Sequence, residues 1–128
     1  MLSNTSVPEF SSTNIAEHLR GLLRKTFHSL LGESAGEAVV LLLEKSLQQD
    51  LGRALWENPK RIYDELLRMF GEGTRVLMNI IISNINQECK LNIEPGKIMK
   101  LMCSENRSDV EELRSIIRLV VKSCGAKH

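Results

Sequence analysis

The residues with the strongest claim to chemistry lie in the stretch LLRMFGEGTRVLMNIIISNI, residues 66–85, around Gly71, Glu72, Gly73 and Thr74. Two glycines one residue apart before an apolar run could form a phosphate cradle, in which glycine admits the ligand and a helix terminus supplies N–H donors. A dinucleotide fingerprint would need a third glycine, but Leu77 stands near its place, and a P-loop would need Lys-Ser or Lys-Thr after the second glycine. Glu72 would also repel an anion placed between the glycines. The segment therefore reads as a helix-to-helix corner. Gly71 ends one helix, Gly73 permits the turn, and Thr74 can cap the next.

No other titratable group completes a site. His18 and His28 fall ten residues apart on one expected helix, too far to share an ion, and His18 reads as solvated. Cys89, Cys103 and Cys124 include no C-x-x-C pair. They suggest neither a disulfide framework nor a zinc site, and they fit a reducing, cytoplasmic setting. Glu111 and Glu112 point to different helix faces and suit capping and charge roles. No catalytic residue, metal ligand, cofactor or small-molecule ligand is indicated, so the expectation is a chain that is not an enzyme.

Two kinds of binding residue remain. Arg20, Arg24 and Lys25, with Lys60, Arg61, Arg68 and Arg75, would make a nucleic-acid patch if folding gathered them. Solvated charges partly paired with Asp64 and Glu65 are the plainer reading. Phe10, Trp56 and Tyr63 would anchor a protein partner or a second copy if exposed, and pack the core otherwise. The 17 basic and 16 acidic residues give a net charge of +1, so no global field favours nucleic acid or an anionic membrane. No apolar run is long enough to cross a bilayer, and no membrane partner is expected.

The elements that must position these residues are helical. Residues 1–13 read as an arm, and residues 14–128 as one helical domain. Three capping boxes mark helix starts, at Asn14 with Glu17, Ser34 with Glu37, and Ser108 with Glu111. A further start is marked by Asn58 before Pro59. DLGRALWEN, broken by Gly52, reads as a turn or helical turn carrying Leu55 and Trp56 inward. Pro95 opens a short helix through IMKLMC, and residues 91–94 form a loop. The β-branched residues of Val76–Ile85 favour strands, but the helix pattern from about Thr74 to Glu88 spans more than ten residues and has no strand to pair with, so it reads as helix. The expectation is an all-α bundle of five or six helices. The second helix, with its apolar run Ala38–Leu43, and the fourth, from about Thr74 to Glu88, are expected at its centre.

The run from Gly32 to Ile85 combines a G-E-S helix start, an N-P helix start and an F-G-x-G corner, in that order. In this it resembles a family of small all-helical archaeal domains, taken to be output or accessory domains of signalling proteins. The resemblance implies an archaeal, cytoplasmic regulatory protein that acts through another protein. It supplies no catalytic residue, and the chain has no room for a receiver or kinase domain. The functional expectation is a noncatalytic protein-interaction or regulatory module, with weak nucleic-acid binding as the alternative.

Overall fold

A computed structural model of the protein describes residues 12–125. Phe10 and most of the expected arm lie outside them. The described residues form seven helices and no strand: α1 Ser12–Leu31, α2 Glu33–Leu47, α3 Leu51–Glu57, α4 Pro59–Phe70, α5 Gly73–Cys89, α6 Pro95–Cys103 and α7 Arg107–Gly125. The all-α class holds, but the expected count of five or six is too low because DLGRALWEN forms a helix of its own.

Local chemistry explains α3. Asp50 takes the extended backbone of an N-cap, and its carboxylate accepts from Arg53 N at 2.9 Å. A second unpaired amide at this helix start, Leu51 N, donates to Glu44 Oε2 at 2.8 Å. Gly52 is no breaker here. A Cβ at this position would run into the carbonyl oxygen of Ala16 and stand 2.8 Å from both Ala16 C and Arg20 N. The glycine lets α3 lie backbone against backbone on α1. Gly36 does the same for α2, where a Cβ would meet Phe27 O at 2.6 Å.

The core therefore forms around α1, which touches α2, α3, α5 and α7. Ile15, Leu19 and Phe27 of α1 are buried in it. The expectation that α2 is central does not hold. Val40 and Leu43 are buried, but Leu41 and Leu42 are 52% and 55% exposed, so the apolar run covers more of the helix than its neighbours do. The α5 helix buries Met78, Ile81, Ile82 and Ile85 while leaving Val76 and Ile80 outside.

None of the three capping boxes forms as expected. The α1 helix starts at Ser12, two residues before Asn14. The α2 helix starts after Gly32 with no side-chain cap, and Glu37 instead accepts from Arg24 and His28. The α7 helix starts at Arg107, where the side chain of Asn106 accepts from Ser108 N at 2.8 Å. Pro59 and Pro95 do open their helices.

Cysteine pairing also departs from expectation. Cys89, the last residue of α5, is disulfide-bonded to Cys124 near the end of α7, with 4.8 Å between Cα atoms. The bond closes over 35 residues of chain and removes the argument from cysteine usage for a reducing compartment. Cys103 remains a free thiol. No helix among the described residues is long and apolar enough to cross a membrane.

Candidate interaction surface and interior cavity

The α4–α5 corner is built as a hinge between two helices. Gly71 closes α4 at φ 57°, ψ −134°, a backbone region that side chains rarely enter, and its N–H reaches Leu67 O. Thr74 is fully buried and does not cap α5. Its hydroxyl donates to Leu66 O at 3.0 Å and so ties the start of α5 back to α4.

Around this corner the apolar residues turn outward. Leu67 and Met69 lie in the last turn of α4, Val76 and Ile80 in the first two turns of α5. They account for four of the seven exposed large hydrophobic side chains among the described residues, and all four fall within 14 residues of chain around the Gly71 corner. Of the four, Val76 and Ile80 stand one turn apart on the same face of α5. Arg68, Glu72 and Arg75, neighbours of these residues in sequence, are exposed as well.

The aromatic candidates are placed differently. Tyr63 is buried at 8% exposure with its hydroxyl 4.0 Å from Met99 Sδ, so it packs the core and presents no anchor. Trp56 is half-buried between two guanidinium groups, with Arg114 Cζ 5.1 Å and Arg118 Cζ 5.2 Å from its ring centroid. Arg114 Nε also donates to Trp56 O at 3.2 Å. These contacts tie α3 to α7 and occupy the indole within the chain.

Six of the seven basic candidates, all but Arg75, bond acidic side chains or backbone carbonyls of the chain itself. Arg20 grips Glu44 through two bonds of 2.6 and 2.9 Å, Arg24 bonds Glu37 at 2.8 Å, and Lys25 bonds Glu88 at 2.8 Å. Lys60 pairs with Asp64 at 3.2 Å, Arg68 with Glu65 at 3.6 Å, and Arg61 donates to the carbonyls of Ser46 and Leu47. Asp64 and Glu65 are thus the partners expected, while Glu37, Glu44 and Glu88 come from helices distant in sequence.

Glu44 is the hub of this polar layer, joining α1 through Arg20 and α3 through Leu51 N. The Arg20 hydrogen bonds lower its carboxyl pKa, and desolvation opposes them without reversing the direction. Hydrogen bonds from Arg24 and then His28 lower that of Glu37. Folded-state values below the unfolded ones mean stability that is present above the unfolded carboxylate range, about pH 4.3, and lost as pH falls through the folded values. Glu44→Gln is expected to cost about 1–2 kcal/mol at neutral pH, after allowing for the part-exposed Arg20, and to flatten the acid side of the stability curve. Urea unfolding between pH 3 and 7 measures this, and unchanged acid sensitivity in the variant would contradict it.

Behind these surfaces lies an interior cavity of about 90 Å³. All seven helices contribute to its wall, which is wholly apolar, and Ile93 joins it from the α5–α6 loop. That loop is held by Asn86, whose side chain bonds both N and O of Ile93 at 2.8 Å. Leu22, Leu55 and Ile116 in the wall are only partly buried, so the cavity is not sealed on every side. It holds no acid, base or nucleophile. Cys103 lies outside it, and desolvation followed by the Asp64 charge pushes its thiol pKa up, away from the thiolate a nucleophile needs.

No family model, curated protein or solved structure matches this chain.

Proposed function

We propose that the chain is a noncatalytic interaction module with a regulatory role, and that the apolar end of the α4–α5 hairpin is the surface that meets another protein. The observation that carries this is the pair Val76 and Ile80, exposed one turn apart on one face of α5, with Leu67 and Met69 exposed in the last turn of α4 on the other side of the Gly71 corner. The regulatory part rests on the resemblance of residues 32–85 to archaeal output domains. Nucleic-acid binding has less support, since Arg20, Arg24, Lys25 and Lys60 are each committed to a carboxylate.

Light scattering and affinity capture test the surface. The wild-type chain is expected to self-associate or retain a protein partner. Val76→Asp with Ile80→Asp is expected to weaken that association at least tenfold, because a carboxylate would have to be desolvated at the contact. Both positions are exposed, so folding stability should change by less than about 1 kcal/mol. Association that survives the double substitution would refute the assignment to this face, and a strict monomer that captures nothing would refute the module reading.

A further inference from the structure

Independently of the surface, we propose that the interior cavity is a binding site for a small, uncharged hydrocarbon molecule without hydrogen-bonding groups. The wall chemistry selects this class. A water molecule inside would need two to four polar partners, and the wall offers none, so the space stays dry. A polar ligand fares no better, because each buried donor or acceptor would lose its hydrogen bonds to water without replacement.

Size narrows the class further. Engineered apolar cavities of roughly 150 Å³ bind benzene and xenon. At about 90 Å³ this cavity suits xenon or a hydrocarbon of a few carbons better than a ring with substituents. Its wall has some give, since Met78 and Met102 contribute flexible thioether side chains. Entry is favoured from the partly buried rim at Leu22, Leu55 and Ile116, where small side-chain movements separate interior from solvent. Ile85 and Val120 of the wall each lie one helical turn before Cys89 and Cys124, so the disulfide holds α5 and α7 together beside this part of the cavity.

The experiment uses the oxidised full chain, xenon as the probe, and methyl NMR as the readout. Saturable shifts are expected at Leu19, Ile82 and Leu113, which line the cavity, and none at Leu41 or Val76 on the surface. Leu113→Ala should enlarge the space and tighten xenon binding severalfold. Val120→Phe should fill it and weaken binding at least tenfold, with retained helicity checked by circular dichroism. Should Val120→Phe fail to fold, the Leu113→Ala comparison decides alone. Non-saturable shifts spread over surface methyls, or equal xenon affinity in the wild type and a folded variant, would overturn the proposal.

Discussion

Gly52→Ala is expected to destabilise the protein by about 3 kcal/mol or more, the upper range for forced overpacking. The added methyl would meet the Ala16 carbonyl and the Arg20 amide, both backbone groups of α1 that no rotamer change can move aside. Relief requires α3 to lift off α1. That movement would also pull Leu51 N away from Glu44 and loosen the Arg20 pair on the same carboxylate. Gly21 supplies the contrast. It sits within α1, and a Cβ there has no neighbour within 4 Å, so Gly21→Ala should stabilise by up to about 1 kcal/mol through helix propensity. Urea unfolding of the two single variants measures both. Effects of the same sign and size would show that α1 and α3 are not packed backbone to backbone.

The two glycines look alike in sequence, which explains much of what could and could not be read there. Helix type was legible because apolar spacing and Pro59, Pro95 and Gly71 act within one or two turns of the chain. The capping boxes were legible as patterns but not as outcomes. Asn106 took the cap of α7 from Ser108, and Glu37 was taken by Arg24 and His28 across the α1–α2 contact. Close approach gave Gly52 its role, and that depends on a partner helix 30 or more residues away in sequence. The same distance hid the surface. Leu41 and Leu42 belong to an unbroken apolar run, and only the placement of neighbouring helices leaves them outside. The basic residues of α1 looked like a patch because their partners lie on other helices, Lys25 and Glu88 being 63 positions apart. Of the candidate surface, the corner itself was legible through Gly71. The outward turn of Val76 and Ile80 was not, since β-branched residues at helical spacing fit a buried face equally well. The cavity had no local signal, because it arises where side chains from all seven helices fail to fill the space between them.

Breaking the Cys89–Cys124 bond is expected to lower stability by about 4 kcal/mol, the loop-closure entropy for a crosslink spanning this length of chain. The bond joins the C-terminal ends of α5 and α7, so without it α7 is held mainly by its apolar stripe of Leu113, Ile117, Val120 and Val121 and by the two arginines on Trp56. Thermal melting should drop by roughly 10–15 °C on reduction, given the entropy of unfolding for a domain of this size. Cys124→Ala should melt near the reduced wild type and show no further drop with reductant, because Cys124 is only partly buried and its loss leaves little cavity. Thiol titration of the unfolded, unreduced chain should find one reactive sulfur, Cys103, out of three cysteines. Three reactive thiols, or a melting temperature indifferent to reductant, would show that the two helix ends are held by packing alone. If the xenon site is clamped at this end, the reduced protein should also exchange the gas faster, through fraying of the last turn of α7 beside Val120.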